Sequence, residues 1–327
     1  MFPVIRTPRI SVIFLIRICL ASLLVWYLFC LWVPVGNGSV VKDISFPPGK
    51  SVRTLATELK TKGIIRSSWH FMVVSRLRGQ ANRLKAGDYR LNSAMTPGYI
   101  LHKVATGDVD FRRFALPEGY SIYQAAELLE QKGYFPKERF LERCRDTALL
   151  TSLGIPASSV EGYLFPATYD LPLNSTEEQL IRMMVSCFKK NVVGQQGGLI
   201  RHDLVTLASM IEKEAVSAEE KPLISSVFHN RLRIGMPLQS DPTAVYGVRA
   251  FAGKVTKADI LRPSPYNTYL NRGLPAGPIG NPGAEALKAA LTPATTDYLY
   301  FVARQDGTHQ FSRTLAEHNR AVTRFLR

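Results

Sequence analysis

The chain has 327 residues and a formal charge of +15, enough length for two modest domains and a membrane segment, with a balance that suits nucleic acid, anionic lipid or another anionic polymer. The basic residues are scattered and form no clustered arm, which argues against nucleic acid. Cys19, Cys30, Cys144 and Cys187 are the four cysteines, without C-x-x-C or His/Cys metal spacing, so no metal or other cofactor is expected; a Cys144–Cys187 disulfide stays open beside the reading of two buried free thiols.

Ile10 to Val35 is apolar apart from Arg17 and two serines. Ile18 to Val35 carries no charge and is long enough to span a bilayer with Arg17 at the interface. Trp26, Tyr27 and Trp32 suit a membrane boundary. Arg6, Arg9 and Arg17 precede the span and no Lys or Arg follows until Lys42. The positive-inside rule makes 1–17 a cytoplasmic tail, 18–35 the anchor, and everything after about Ser39 external. A cleaved signal peptide is disfavoured, because the apolar run is long and Pro34–Ser39 offers a weak cleavage site.

An internal echo follows. Phe46 to Gly63 and Leu116 to Gly133 match at Pro47/Pro117, Gly49/Gly119, Ser51/Ser121, Ala56/Ala126, Leu59/Leu129 and Lys62/Lys132. Each copy reads as strand, Pro-Gly turn, Ser-capped helix and Gly C-cap. Duplication and convergence on a common pattern both remain open. After the first copy come a helix Trp69–Arg78, a strand Ala86–Leu91 and a helix Thr96–Thr106 stopped by Gly107. Then Glu161-Gly-Tyr-Leu-Phe-Pro-Ala-Thr-Tyr169 interleaves aromatics with Gly, Pro and a carboxylate. Such side chains stack on sugar faces or pack in a core, and core packing is the reading for Phe165.

Leu204 to Gly247 is the most informative stretch. Leu204, Leu207, Met210 and Ile211 recur at helical spacing and define one apolar face. Glu214 continues that face, whereas Glu212 and Lys213 fall off it toward solvent, leaving Glu212 dispensable. A carboxyl on a buried stripe is desolvated, which raises its pKa into the range a general acid needs. The helix breaks near Ala215–Ser217. The next begins either at a Ser217/Glu220 capping box or later, with Pro222 in its first turn, and Gly235 ends it. Gln239, Ser240, Asp241 and Thr243 then lie in a polar loop, with Asp241 before Pro242 a turn residue.

Tyr266-Asn267-Thr268-Tyr269 precedes the Gly/Pro run Gly273 to Gly283, a fixed loop whose bare backbone can approach a ligand. Asn281 and Pro282 read as N-cap and first position of a helix Glu285–Leu291. Tyr298–Arg304 and His309–Ser312 form a hairpin about Asp306-Gly307. Thr314 and Glu317 box the last helix. His309 and His318 lack a third ligand nearby, so packing or hydrogen bonding to the cleft loop is the reading for both.

The run Ile211 to Gly247 resembles the signature of the MltG (YceG-like) endolytic murein transglycosylases, and the likeness extends from about residue 40 to the C-terminus. Ala167 stands where that family commonly carries Asp. The resemblance implies an α+β chain: a transmembrane helix, a small LysM-like subdomain at 40–109 that holds glycan, and a catalytic domain at 110–327. It implies a lytic transglycosylase that cleaves the bond between N-acetylmuramic acid and N-acetylglucosamine, leaves 1,6-anhydro ends and terminates nascent strands. The second Glu of Glu-Lys-Glu, the family's catalytic acid, falls on Glu214. Glu161, Tyr169, Gln239, Ser240, Asp241, Thr243, Tyr266, Asn267 and Asn281 are the expected substrate-binding residues. Expected partners are peptidoglycan glycan strands, the cytoplasmic membrane and peptidoglycan synthases, without nucleic acid. The expected location is the inner membrane with a periplasmic catalytic domain. A non-catalytic, membrane-anchored glycan tether is the alternative.

Overall fold

A computed structural model of the chain describes residues 12–196, 201–248 and 255–326. The expected cytoplasmic tail up to residue 11, with Arg6 and Arg9, lies outside the described residues. The fold is mixed α+β, with three two-stranded sheets among the described residues. The chain forms two compact units, one reaching Arg112 and including Asp170–Asn174, the other comprising Arg113–Tyr169 and the rest from Ser175.

The first unit begins with helix α1 (Val12–Trp32). Its apolar side chains are exposed all along, among them Ile13, Leu20, Leu24, Trp26 and Trp32. The side chains of Val12, Cys30 and Leu31 lie outside the described residues, and among the described residues no helix is long and apolar enough to cross a membrane. There follow β1 (Val41–Phe46), α2 (Val52–Thr61), α3 (Ser68–Leu77), β2 (Gly87–Asn92) and α4 (Pro97–Thr106). β1 and β2 pair antiparallel, from Val41 opposite Asn92 to Phe46 opposite Gly87. Strand alternation turns Ile44 and Phe46 inward, where they meet Leu55, Leu59, Phe71, Tyr89 and Ile100. Ser51, Ser67 and Thr96 cap the three helices by accepting an N–H from the first turn.

The remaining elements are β3 (Phe111–Ala115), α5 (Ile122–Gln131), α6 (Lys137–Arg143), α7 (Thr147–Leu153), β4 (Thr168–Pro172), α8 (Glu177–Gln196), α9 (His202–Glu214), α10 (Lys221–Arg233), α11 (Asp241–Val245), α12 (Lys257–Ile260), α13 (Ala284–Leu291), β5 (Tyr300–Ala303), β6 (His309–Ser312) and α14 (Leu315–Phe325). β3 pairs with β4, and β5 with β6. The sequence echo is a structural echo: β1–α2 and β3–α5 share the turn at Gly49 and Gly119, the Ser51 and Ser121 caps, and the stops at Gly63 and Gly133. All four of those glycines take positive φ, which only glycine adopts without strain.

The second unit is organised around α9, which α10 and α13 flank. Every residue from Val205 to Ile211 is buried, so α9 has no solvent face of the kind its apolar spacing suggests. Its polar residues go inside because they bond within the helix: Thr206 Oγ1 donates to His202 O and Ser209 Oγ to Thr206 O. Cys144 and Cys187 are free, the first buried and the second half-buried, so the disulfide left open by the sequence is not formed. Burial pushes the Cys144 thiol well up.

Candidate active site

α9 ends at Glu214 because Ala215 turns extended. α10 takes the later of its two possible starts, with Pro222 in its first turn and no side-chain cap. Glu220 accepts instead from His309 N–H at 2.7 Å and pairs with His309 Nδ1 at 2.9 Å. His309 therefore ties β6 to the head of α10, not to the cleft loop.

The Glu214 carboxyl meets the chain again at Ser240, whose Oγ donates to Oε1 at 2.5 Å. Among the described residues no hydrogen bond engages Oε2. The residue is half-buried, yet protein surrounds the carboxyl closely enough to raise its pKa to about 7. Desolvation is the main cause, the Asp241 charge adds to it, and the Ser240 hydrogen bond and Arg231 oppose it.

Ser240 is itself locked. Its N–H donates to Thr268 Oγ1 at 3.0 Å, its carbonyl accepts from Thr243 Oγ1 at 2.6 Å, and the two threonine hydroxyls lie 2.8 Å apart. Gln239, exposed beside it, is the one non-glycine residue with positive φ among the described residues. Strain at such a position persists only where the surroundings over-determine it, as at ligand sites. Buried Arg231 supplies part of that constraint from α10, donating to Leu238 O at 2.7 Å and to Leu299 O at 2.7 Å. Asp241 accepts from Tyr269 OH at 2.5 Å, and Asn267, fully buried, holds the Tyr269 turn through Ile260 O and Arg262 O. Sequence alone singles out neither Arg231 nor Tyr269; both lie inside the motifs named above, but nothing local marks an Arg on a helix as buried.

Glu161 differs most from its expected place. It is 2% exposed, and its oxygens accept from Ile122 N–H, Tyr246 OH and Asn281 Nδ2 at 2.8–3.2 Å. Burial raises its pKa to about 7 against the pull of those donors. Asn281 does not cap α13, which starts after Gly283. It joins Leu164 N–H, Tyr120 O and Glu161 across three segments. Tyr169 is buried and its OH donates to Phe165 O. Thr243, Asn267, Asn281, Tyr169 and Glu161 thus spend their polar atoms on protein. Gln239 is exposed, and Asp241 and Tyr266 are half-buried. The Tyr266 ring lies 4.6 Å from that of Tyr246. The glycines of the Gly/Pro run also serve packing: a Cβ on Gly280 would meet Gly119 O at 2.5 Å.

Glu212 and Lys213 do not face solvent. The Glu212 side chain is 7% exposed, pairs with equally buried Lys221 at 3.0 Å and accepts Gly283 N–H at 3.0 Å. Lys213 is half-buried, and desolvation lowers its pKa. A helix buried at every position from Val205 to Ile211 offers neither residue the open solvent face its spacing suggests.

Residues 44–324 match the YceG-like family. The chain is 34% identical over 313 residues to a Bacillus subtilis (strain 168) protein named endolytic murein transglycosylase, covering 87% of this chain and 84% of that one. A protein of the same name from Streptococcus pneumoniae (strain D39) is 30% identical over 323 residues; the match spans 88% of this chain but 58% of that relative. The crystal structure of a yceG-like protein from Listeria monocytogenes aligns with a TM-score of 0.59 at 34% identity, over 86% of this chain and 98% of that one. The chain belongs to the YceG-like family.

Proposed function

We propose that the chain is a membrane-anchored endolytic lytic transglycosylase acting on peptidoglycan, with Glu214 as its acid and base. The supporting observation is one carboxyl, raised to about 7 and hydrogen-bonded on one oxygen only. Protonated through Oε2, it gives its proton to the glycosidic oxygen between N-acetylmuramic acid and N-acetylglucosamine as the bond to C1 breaks. The carboxylate then accepts the proton of the muramyl C6 hydroxyl, whose oxygen closes on C1. A 1,6-anhydro end forms, Glu214 is protonated again and no water is consumed. Proximity of the intramolecular nucleophile removes the need for the second carboxylate of ordinary glycosidases. Asp241, held by Tyr269, lifts the Glu214 pKa and suits a charged neighbour. Gln239, Asp241 and Tyr266 are proposed to meet the sugar, with Ser240 orienting the acid. Glu161, Tyr169, Thr243, Asn267 and Asn281 hold the walls. Mass analysis of digested glycan tests the reading: anhydro ends support it, reducing ends indicate hydrolysis, and intact glycan indicates a tether.

The pH dependence follows from the direction of the shift. The acid works only while protonated, so kcat/KM falls as pH rises through about 7. Ser240→Ala removes a hydrogen bond to the charged form, so the alkaline limb is expected to move up by about one pH unit. A limb that stays in place would detach Ser240 from Glu214.

The anchor is part of the same proposal. The apolar surface of α1 and the Arg6, Arg9, Arg17 asymmetry support a single span at 18–35, with 1–17 in the cytoplasm and the remainder periplasmic. A reporter active only in the cytoplasm, fused after Arg327, is expected to be silent; activity there refutes the topology. Residues 40–109 are proposed to hold glycan as a LysM-like subdomain, 110–327 to carry the chemistry, and cleavage of nascent strands beside their synthases to end elongation. Deleting Val40–Val109 is expected to raise KM on long glycan; unchanged turnover would remove the holding role.

A further inference from the structure

A hollow of about 220 Å³ lies beside the Glu214 site, between the first turns of α5, the end of α9 and α11. Lys213, Gln124, Tyr123, Tyr246, Pro242 and Glu127 are among its lining. It does not contain Glu214. It shares α11 with it, since Ser240, the residue bonded to Glu214, caps the helix whose Pro242 and Val245 line the hollow. Lys213 and Glu214 are consecutive residues on α9 and open onto the two places.

Lys213 is the unusual member. A half-buried ammonium ordinarily finds a carboxylate. Among the described residues none lies within ion-pair distance, and the nearest acceptor is Gln124 Oε1 at 3.5 Å. That oxygen already takes the Ser121 N–H in the capping box of α5. Glu161, the buried acid that most favours its charge, is saturated by Ile122, Tyr246 and Asn281. Burial accordingly lowers the Lys213 pKa, with Glu161 and Glu212 only partly restoring it. A carboxylate arriving from outside would complete the pair. Size narrows the occupant, because about 220 Å³ is below the roughly 300–1,000 Å³ of pockets that bury a drug-sized ligand. The hollow suits one substituent, not a run of sugars. Tyr123 and Tyr246, ring centroids 5.8 Å apart, give it an aromatic wall, and Glu127 and Lys137 add one charge of each sign to the lining.

We infer that this hollow binds one carboxylate-bearing residue of the peptide that substitutes the muramyl lactyl group, with Lys213 pairing that carboxylate, so that the enzyme selects peptide-bearing over stripped glycan. The inference rests on the proposed transglycosylase reading and names the part of the substrate recognised next to the cleaved bond.

Binding and turnover separate the two. Full-length Glu214→Gln is titrated with glycan carrying its peptides and with the same glycan stripped by an amidase. Peptide-bearing glycan is expected to bind about tenfold tighter, and the preference is expected to vanish when Lys213→Gln is added and to return with Lys213→Arg. In the otherwise native chain, Lys213→Gln is expected to raise KM on peptide-bearing glycan about tenfold with kcat held. Equal affinity of Glu214→Gln for both glycans overturns the peptide site, as does a Lys213→Gln loss that falls on kcat for both glycans alike. If the native chain cleaves neither glycan while the binding preference and its Lys213 dependence persist, the peptide site stands and the transglycosylase reading falls.

Discussion

Glu214→Gln is expected to lower turnover of polymeric glycan by about 10³–10⁴-fold or more, with the protein still folded. Loss of general acid catalysis alone costs about 10²–10⁴, and here one carboxyl serves as acid in the first step and base in the second. The amide keeps size and an oxygen for Ser240 Oγ, which lies 2.5 Å from Oε1. It has no proton to give and cannot accept the one from the C6 hydroxyl. The fold is spared because the native carboxyl sits where desolvation already penalises its charge. Removing a group whose folded pKa is raised above 4.5 to about 7 also removes a stability loss that sets in as pH rises through that range. The variant should therefore melt no lower than the native protein at pH 8. Normal release of anhydro ends by Glu214→Gln would exclude Glu214 as the acid, and a collapsed far-ultraviolet spectrum would show that it is structural.

What the sequence made legible was local. Ser51, Ser121 and Thr314 cap the helices assigned to them, and Gly107 stops its helix, because a cap is settled within one turn. The desolvated carboxyl expected at Glu214 is present, with its pKa raised to about 7, but helical spacing does not explain it, since α9 is buried at every position from Val205 to Ile211. Glu161 was not legible. Its acceptor role is set by Ile122, 39 positions before it, Tyr246, 85 after it, and Asn281, 120 after it. An acid among aromatics reads equally as a sugar ligand or as the centre of a buried network, and only assembly of the chain decides. Asn281 next to Pro282 has the chemistry of a helix cap, but the backbone it serves belongs to Leu164 and Tyr120. The spacing rule failed at Glu212 because it assumes one buried side, and α9 is buried all round from Val205 to Ile211.

That enclosure reverses what the sequence suggests for Glu212. Glu212→Gln is expected to destabilise the protein by about 3–5 kcal/mol, the cost of breaking a buried ion pair by removing one partner, and to lower the apparent melting midpoint by on the order of 10 °C. Both Glu212 oxygens lie 3.0–3.1 Å from Lys221 Nζ, and the two side chains are each 7% exposed. With the charge gone, Lys221 keeps, among the described residues, only the Glu118 carboxylate, 3.6 Å away and 57% exposed, too solvated to compensate. An amide oxygen in the Oε2 position still accepts from Gly283 N–H and Lys221, but the NH2 in the Oε1 position then meets the ammonium as a second donor instead of accepting from it. Adding Lys221→Met should recover much of the loss, since removing both partners of a buried pair is far milder than removing one. Turnover per folded molecule should stay within severalfold of the native value, because Glu212 bonds α10 and the Gly/Pro run and, among the described residues, shares no hydrogen bond with Ser240 or Glu214. An unchanged midpoint for Glu212→Gln would show that the pair contributes nothing. Loss of turnover at an unchanged midpoint would move the acid from Glu214 to Glu212.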